Sequence, residues 1–464
     1  MLNNVNSRLI AVAVFFSMLS CTHRQKEKVP VVDLPQIREK GELTAVTLNS
    51  SISYFIYKGQ KMGYEYDLIE DFATSQGLKL NVKVAENITR LEEMLQSGEA
   101  DIVAFPVQMD NSMKQKVLFC GAEQQNHLVI VQRANREDKI VNDVTGLVGK
   151  EIWVKNNSRY HERLSSLNTE LGGGIIVKNI ALDTVTTEDL IDMVSSGKIR
   201  YTVSENNLAS LNKTYHNNID IHLQISFPQR ASWVVRKECP QLASAVNVWA
   251  SNLSIKSTMR AAVKRYFEQS KNEAADDEMP VIKKGDLSPY DDLFRKYAAQ
   301  IKWDWQILAS IAYQESKFKN HLESWAGAKG LMGIMPRTAR NFGFSSGNLD
   351  DPEMSIRICA KIIQYLEKIF SDIEDRNEKE KFVLAAYNAG NGHIVDARKL
   401  AAKYGADPNV WAGNVAEYVR LKSEAEYYND EVCKNGYLRG METYKYVTEV
   451  MERYKTYKNS AKSP

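Results

Sequence analysis

The sequence predicts two domains of different class, an α/β domain followed by a mainly α domain. Its 464 residues are too many for one ordinary hydrophobic core. From about 36 to 268, short β-branched runs such as LTAVTL, LKLNVKV and ADIVAFPV alternate with helical patterns, as they do in domains with mostly parallel strands. From about 288 the strand-like runs stop, and periodic helical segments follow to the end.

The charge balance and the scattered histidines exclude several classes of function. The chain has 60 Lys and Arg against 58 Asp and Glu, a net charge of only +2, so nucleic acid is not expected as a partner. Its 7 histidines form no H-E-x-x-H motif, and no C-x-x-C pair occurs. We therefore expect no metal site and no cofactor.

The N-terminus has the form of a secretory signal over residues 1–20. Arg8 precedes LIAVAVFFSML, an apolar run of 11 residues that is too short to span a bilayer. The ending Leu-Ser-Cys resembles a bacterial lipobox, which implies that Cys21 is acylated and holds the protein at a membrane of the cell envelope. Thr22 is not the aspartate of inner-membrane retention, so we expect the outer membrane, facing the periplasm. A plain secretory signal with an incidental cysteine is the alternative.

Two polar segments separate the predicted units. Residues 21–35 are polar and then contain proline, which predicts a tether before a first domain over 36–268. The segment QSKNEAADDEMPVIKKGDL, 269–287, has clustered charge and few apolar residues, and predicts a linker. The helical domain then covers 288–464.

The first domain contains a well-marked amphipathic helix, ITRLEEMLQSG. Its spacing puts Ile88, Leu91, Met94 and Leu95 on one face. Gly98 follows as a residue suited to end a helix. We therefore expect a helix that packs on the sheet and stops near this glycine.

Several segments of the first domain resemble the family-3 extracellular solute-binding proteins. They include GYEYDLIEDFATSQGLKLNVKV, LQSGEADIVAFPV and GLVGKEIWVKNNS, in that order. The resemblance implies two α/β lobes, with the second lobe, about 129–226, inserted into the first and joined to it by a two-strand hinge. A ligand would sit in the cleft between the lobes, and closure of the cleft would be the conformational event.

One position departs from that family. Where its members place an arginine that clamps the ligand carboxylate, an ungapped match puts Met113, and a thioether offers no comparable charged fork. Glu205 falls where the family often has the acid that receives the ligand amine. We therefore expect a peptide or muropeptide ligand in place of a free amino acid. A cleft that binds nothing and acts as a spacer is the alternative.

An acid continues the apolar face of one helix in the second domain. In DWQILASIAYQES, Leu308, Ile311, Ala312 and Glu315 stand at i, i+3, i+4 and i+7. Burial disfavours the ionised form of a carboxyl, so we expect Glu315 to be protonated and able to act as a general acid. A structural acid paired with an arginine is the alternative.

Four motifs in the second domain resemble the lytic transglycosylases of the SLT domain, a lysozyme-like fold that acts on peptidoglycan. They are ESKF, SWAGAKGLMGIMP, AAYNAGNGH and ETYKYV. The resemblance implies that Glu315 is the catalytic acid. It assigns to the substrate groove Ser324, Tyr387, Asn388, Glu442 and Tyr446. Gly333 departs from the family pattern, because the family's GLMQ segment has a glutamine at this position.

The resemblance also explains why a single carboxylate suffices. Ordinary glycosidases need a second carboxylate as nucleophile or base. Members of this family use the C6 hydroxyl of N-acetylmuramic acid, which yields a 1,6-anhydromuramoyl product from the MurNAc–GlcNAc β-1,4 bond. Asp304 and Glu323 are nearby acids in sequence, but their spacing requires no role. A lysozyme-like muramidase and a catalytically degenerate cell-wall-sensing lipoprotein remain the alternatives, and the first domain is expected to regulate or sense.

Overall fold

The structure, a computed structural model, describes residues 32–156, 158–180, 185, 187–269 and 286–460. The predicted signal peptide, Cys21, most of the tether and most of the linker lie outside these residues. Among the residues inside them, no helix is both long enough and apolar enough to cross a membrane.

The β-strands of the described chain form two five-stranded sheets and one separate hairpin. In chain order the strands are β1 Glu42–Leu48, β2 Phe55–Tyr57, β3 Gln60–Met62, β4 Lys79–Ala85, β5 Ile102–Gln108, β6 Val117–Asn126, β7 Leu128–Arg133, β8 Glu151–Lys155, β9 Ile176–Ile180, β10 Tyr201–Glu205, β11 Ile219–Asp220 and β12 Gln229–Arg236. The first sheet has the order β4-β1-β5-β12-β6, and the second has the order β11-β7-β10-β8-β9. Strands β2 and β3 pair with each other.

The helices divide between the two domains. Those of the α/β domain are α1 Leu34–Lys40, α2 Tyr64–Ser75, α3 Ile88–Gln96, α4 Asn111–Lys116, α5 Arg159–Glu170, α6 Thr187–Ser195, α7 Asn206–Lys213, α8 Pro240–Ser251 and α9 Leu253–Val263. Those of the helical domain are α10 Asp291–Ile301, α11 Trp305–Ser316, α12 Pro336–Asn341, α13 Pro352–Ile369, α14 Arg376–Ala389, α15 Asn391–Lys403, α16 Ala416–Leu421, α17 Ala425–Tyr428 and α18 Gly440–Ser460.

The α/β domain consists of two lobes, as the predicted fold class requires. The chain leaves the first sheet through β6, enters the second sheet as β7, and returns to the first through β12. Strand β1 has core on both faces, because Leu43 and Ala45 pack into one cluster and Val46 into another. This is the burial expected of a strand in the middle of a sheet covered by helices on both faces.

Helix α3 agrees with the prediction at three of its four apolar positions. Leu91, Met94 and Leu95 are buried, and Gly98 follows with a φ of 78°. Ile88, the first residue of the helix, is 54 % exposed. The spacing of the apolar residues correctly predicted which face of the helix is buried. The hydrophobic core does not extend to the first residue of the helix.

The helical domain is built around α11. Leu308, Ile311 and Ala312 are fully buried, and the helix packs against α10 and α18. The side chain of Asp304 caps its start by accepting from the backbone NH of Gln306. The mainly α, lysozyme-like part of the predicted fold class is thus a bundle whose central helix ends just beyond the acid identified in the sequence.

The β2–β3 hairpin of the α/β domain reaches into the helical domain. Its two-residue turn, Lys58 and Gly59, has φ values of 47° and 75°, which is the left-handed geometry of a type I′ turn. A Cβ on Gly390 would stand 3.2 Å from the backbone nitrogen of Gly59, so the tip of the hairpin lies directly on the start of α15. His393 Nε2 donates to the carbonyl of Ile56 over 3.0 Å.

Candidate active site

Glu315 lies in the last turn of α11, between two cavities. One cavity, of about 520 Å³, lies between the two domains and is lined by Glu315, Asp192 and Tyr215 among others. The other, of about 420 Å³, is lined by Lys58, Gly333, Tyr387 and neighbouring residues. The β2–β3 hairpin separates them, since Tyr57 lines the first cavity and Lys58 the second.

The carboxylate of Glu315 is held by a tyrosine and a lysine. Tyr446 on α18 donates its hydroxyl to Oε1 over 3.0 Å. Lys58 Nζ donates to Oε1 over 3.1 Å and to Oε2 over 3.0 Å, and the two side chains are only 7 % and 10 % exposed. Both oxygens of Glu315 therefore accept a hydrogen bond from the Lys58 ammonium.

The lysine beside Glu315 was not foreseen from the sequence. The helix pattern correctly indicated that the side chain is buried, with 10 % of it exposed. It could not reveal a cation that comes from a hairpin 257 residues away in sequence.

The loop after α11 brings Gly333 under the carboxylate. Gly333 has a φ of 59°, and a Cβ there would stand 2.2 Å from Oε2 of Glu315. Its carbonyl also accepts from Lys58 Nζ over 3.4 Å. A side chain at position 333 would therefore occupy the space that the carboxylate of Glu315 now fills.

Three of the predicted groove residues also hold the groove wall in place. Ser324 Oγ accepts from the backbone NH of Ala328 over 3.0 Å and closes the turn that follows. Tyr387 donates its hydroxyl to the carbonyl of Met332 over 2.7 Å. Asn388 Oδ1 accepts from the hydroxyl of Thr443 on α18 over 2.8 Å. Ser324 and Asn388 line the larger cavity, and Tyr387 lines the smaller one.

Glu442 and Tyr446 complete the wall of the larger cavity. Burial raises the pKa of Glu442, an effect that the charges of Arg439 and Lys58 partly offset, and the hydroxyl of Tyr57 is hydrogen-bonded to it. Burial and then the charge of Glu315 hold the pKa of Tyr446 well above its ordinary value, so this hydroxyl keeps its proton and acts as a donor. Glu442 is thus one of several acids that line the same cavity as Glu315, together with Asp192, Glu323 and Glu449.

Of the two acids that are near Glu315 in sequence, Glu323 lines the larger cavity and Asp304 does not. Asp304 caps the opposite end of α11, about 16 Å along the helix axis, and accepts from the hydroxyl of Tyr454. Glu323 pairs with Lys329 over 3.1 Å and is 58 % exposed. Within the described parts of the chain, no group of three or more His, Cys, Asp or Glu residues is arranged to hold a metal ion.

The two ligand-cleft positions of the first domain lie in different environments. Glu205 ends β10 and pairs with Arg159, at the first turn of α5. Met113 is buried in the first lobe in a cluster with Val46 and Val117. The side chain at the position of the family's arginine therefore packs in the core.

Sequence reasoning missed the contribution of the α/β domain to this site. Lys58 and Tyr57 come from the hairpin, and Asp192 and Tyr215 come from the second lobe. The guanidinium of the buried Arg439 lies 3.8 Å from the ring centroid of Tyr215. The one local signal was the Lys-Gly pair at the hairpin turn, which predicts a turn and nothing about its partner.

Two family models match the chain, one in each domain. The model described as bacterial extracellular solute-binding proteins, family 3, matches residues 43–269. The model described as the transglycosylase SLT domain matches residues 292–410.

Named relatives match almost the whole chain. A protein of Desulfosudis oleivorans named membrane-bound lytic murein transglycosylase F is 31 % identical over 428 residues, covering 90 % of each chain. A protein of the same name from Pseudomonas fluorescens is 29 % identical, covering 96 % of this chain and 89 % of its own length. Among solved structures, substrate-binding domain 2 of Lactococcus lactis GlnP matches with a TM-score of 0.43 and 20 % identity, covering 50 % of this chain and 97 % of that one.

Proposed function

Because this chain belongs to the membrane-bound lytic murein transglycosylase F family, we propose that Glu315 is its catalytic acid and base. The chain is a peptidoglycan lytic transglycosylase with a solute-binding-protein-like N-terminal module. The observation that carries the assignment of Glu315 is its position: a nearly buried carboxylate between two cavities, hydrogen-bonded to Tyr446.

In the first step Glu315 acts as an acid. Its carboxyl proton passes to the glycosidic oxygen between N-acetylmuramic acid and N-acetylglucosamine, and the bond from C1 to that oxygen breaks. The leaving sugar keeps the bonding electron pair and the proton, so C1 becomes electron-poor and Glu315 becomes a carboxylate. This step requires Glu315 to hold a proton.

In the second step the same carboxylate acts as a base. It takes the proton of the C6 hydroxyl of the muramic acid, whose oxygen then bonds to C1 and closes a 1,6-anhydro ring. Glu315 regains its proton, and no water is consumed. The donated hydrogen bond from Tyr446 keeps the carboxylate oriented in both steps. The chemistry uses no cofactor.

We assign substrate contacts to the side chains that line the two cavities. Ser324, Asn388 and Glu442 face the larger cavity, and Tyr387 faces the smaller one. Their polar groups suit the hydroxyl and N-acetyl groups of a glycan strand. Asn388 has one lone pair of Oδ1 engaged by Thr443, so its amide NH₂ is the group offered to a sugar.

The N-terminal module would regulate this site and take a peptide or muropeptide ligand in its cleft. Glu188 of the second lobe accepts from Ser51 of the first lobe over 2.7 Å and from Tyr437 of the helical domain over 2.6 Å. A change in the angle between the lobes would therefore move residues that touch the helical domain. Glu205 remains the candidate receptor for a ligand amine.

We also propose that the protein is held at the outer membrane, facing the periplasm, by a lipid on Cys21. The short apolar run followed by Leu-Ser-Cys supports this anchor. The relatives are named as membrane-bound enzymes, which agrees with a place in the cell envelope. Labelled palmitate incorporated by wild type and absent from Cys21→Ser would be the expected result.

A hydrolase is the alternative, and Glu442 is the observation in its favour. A muramidase needs a second carboxylate to activate water, and Glu442 lines the same cavity. The product decides between the two reactions: anhydromuramoyl ends come from transglycosylation, and reducing muramic acid ends come from hydrolysis. A degenerate sensor would produce neither.

The test is digestion of purified murein followed by mass spectrometry of the soluble products. Wild type should release fragments 18 Da lighter than hydrolysis products, because ring closure replaces the addition of water. Glu315→Gln should release none while keeping the circular dichroism spectrum of wild type. Glu417→Gln, at an exposed acid on α16, is the matched control and should retain full activity. Reducing ends, or a fully active Glu315→Gln enzyme, would overturn the proposal.

A further inference from the structure

We propose that Tyr365 and Phe342 form a further glycan subsite at the far end of the smaller cavity, where the ring of Tyr365 stacks on one face of an amino sugar. The proposal rests on the proposed function and adds to the same groove a binding residue beyond those next to the cleaved bond. Tyr365 binds the third sugar from that bond, and the enzyme therefore prefers long glycan strands to short ones.

Tyr365 is a large aromatic residue that the fold leaves half exposed. It follows Ile362 by three residues on α13, which places the two side chains on one face of the helix. Ile362 and Leu366 are 8 % and 3 % exposed, whereas Tyr365 is 47 % exposed. All three line the cavity of about 420 Å³. The apolar ring of Tyr365 is therefore presented to this cavity and not to the core.

Phe342 holds the ring of Tyr365 in one orientation. The two ring centroids lie 5.6 Å apart and the ring planes meet at 81°, an edge-to-face contact. Phe342 itself packs against the core of the helical domain. A ring whose tilt is already fixed loses little conformational freedom when a ligand binds, so it suits a flat apolar partner. The C–H face of a pyranose ring is such a partner.

Polar side chains surround the aromatic pair. Arg337, Thr338 and Asn341 of α12 and Asn391 of α15 line the same cavity. Within the described part of the chain, none of these four side chains makes a hydrogen bond or an ion pair with another protein group. An aromatic wall with a few convergent polar groups is the usual form of a small-ligand site. The two amides suit N-acetyl groups, and the guanidinium suits the lactyl carboxylate of muramic acid.

The aromatic pair lies further from Glu315 than the sugars at the cleaved bond. Gly333 and Tyr387 line the end of the cavity that adjoins Glu315. Helix α12 then forms one wall, and its six residues span about 9 Å. Phe342 follows the last residue of this helix. The span exceeds the length of one sugar unit, so a strand that reaches Tyr365 extends past the sugar next to the cleaved bond.

Cleavage of peptide-free murein glycans of two lengths tests the subsite. The substrates are a tetrasaccharide and an octasaccharide of alternating N-acetylglucosamine and N-acetylmuramic acid. Tyr365→Ala should raise KM for the octasaccharide about fivefold with kcat nearly unchanged, and should have little effect on the tetrasaccharide. Tyr365→Phe keeps the ring and should restore the wild-type KM. An unchanged KM for the octasaccharide in Tyr365→Ala, or an equal loss on both lengths, would overturn the proposal.

Tyr404→Ala is the matched control. Tyr404 is 45 % exposed, its ring stacks on Tyr418 with the centroids 5.8 Å apart, and it lines neither of the two cavities beside Glu315. Its replacement should leave KM for both glycans at the wild-type values. A rise in KM equal to that of Tyr365→Ala would mean that the loss of any exposed aromatic ring weakens binding, which would refute a defined subsite.

Binding without turnover separates a failure of this proposal from a failure of the proposed function. By calorimetry, Glu315→Gln/Tyr365→Ala should bind the octasaccharide about fivefold more weakly than Glu315→Gln. If Glu315 is not the catalytic group, Glu315→Gln still cleaves murein while the difference in affinity persists. If Tyr365 binds no sugar, Glu315→Gln is inactive and the two variants bind the octasaccharide equally, which would refute the subsite alone.

Discussion

Tyr446 donates its hydroxyl to Oε1 of Glu315 over 3.0 Å, so α18 and α11 meet at the proposed catalytic carboxylate. A hydrogen bond to a charged group contributes about 1.5–3 kcal/mol, and this one fixes the oxygen that gives and takes the proton. We expect Tyr446→Phe to lower the rate of murein cleavage by roughly 10- to 100-fold with little loss of stability. The rate at which anhydromuropeptides are released at a saturating concentration of murein measures this loss of activity.

Tyr454→Phe is the matched control for Tyr446→Phe. Tyr454 lies two turns further along α18 and donates to Asp304, at the far end of α11. Its loss should change the melting temperature slightly and the turnover not at all. Equal losses of turnover in the two variants would mean that the hydroxyls act through the packing of α18 and not through Glu315.

Gly327 and Gly330, which follow α11, are predicted to differ in how well they tolerate substitution by alanine. Gly327 and Gly330 both have left-handed φ values, 85° and 73°, which cost a residue with a side chain about 1–2 kcal/mol. A Cβ on Gly330 would also stand 1.9 Å from the carbonyl oxygen of Leu349, whereas nothing lies within 4 Å at Gly327. Gly330→Ala should therefore unfold the loop or abolish soluble expression, and Gly327→Ala should lower stability only modestly. Thermal unfolding of the two purified variants compares them, and equal melting temperatures would contradict the clash.

The fold could be predicted from the sequence where a local pattern of residues determines the structure. The alternation of strand and helix patterns predicted the α/β domain, and the family resemblance implied its two lobes. The 3.6-residue spacing of Leu308, Ile311 and Ala312 predicted the buried face that leads to Glu315. The motif resemblance selected side chains that line the two cavities beside that acid. These features depend on neighbours within a few residues or on motifs inside one domain.

The contacts of Glu315 and the shape of the cavities beside it could not be predicted in the same way. The ion pair of Glu315 is made with Lys58, which no local pattern connects with α11. The smaller cavity and the groove wall contain residues from both domains, so their shape follows from how the domains dock. Gly333 looked like a missing contact in the sequence, and its meaning became clear only from the carboxylate lying over it.

Glu65 is predicted to make the stability of the first lobe depend on pH. It is fully buried, and burial raises its pKa to about 7, although Gln124 and Trp233 donate to its two oxygens over 2.8 and 2.6 Å. In the unfolded chain the same carboxyl would ionise near its ordinary pKa of 4.5. Its favourable contribution is therefore complete below pH 4.5 and is lost as the pH rises through about 7, an effect of about 3 kcal/mol.

Glu65→Gln should remove this dependence. The amide oxygen can accept from Trp233, and the amide NH₂ can donate to a flipped Gln124, so the variant stays paired without a charge. Thermal unfolding followed by tryptophan fluorescence at pH 5 and pH 8 should show a smaller shift than wild type. Glu70→Gln, at an exposed position of the same helix, is the control and should keep the wild-type shift. An unchanged shift in Glu65→Gln would assign the pH dependence to other groups.

Arg439 is predicted to stabilise the interface between the second lobe and the helical domain. Its guanidinium is largely buried, donates to Oδ1 of Asn212 on α7 over 2.8 Å, and lies 3.6 Å from Glu188. Loss of a buried cation leaves its partners unpaired and costs about 3–5 kcal/mol, whereas an exposed pair contributes about 0–1 kcal/mol. Arg439→Met should therefore loosen the interface, and Lys445→Ala, which breaks a half-exposed pair with Asp192, should not.

Amide hydrogen exchange in the full chain tests whether Arg439 stabilises the interface between the second lobe and the helical domain. If Arg439 holds the second lobe in place, Arg439→Met should speed exchange in peptides from α7 and from the β2–β3 hairpin, because Glu188 also binds Ser51, seven residues before Lys58. Lys445→Ala should leave both peptides at the wild-type rate. Faster exchange in α7 alone would mean that the second lobe moves without the hairpin.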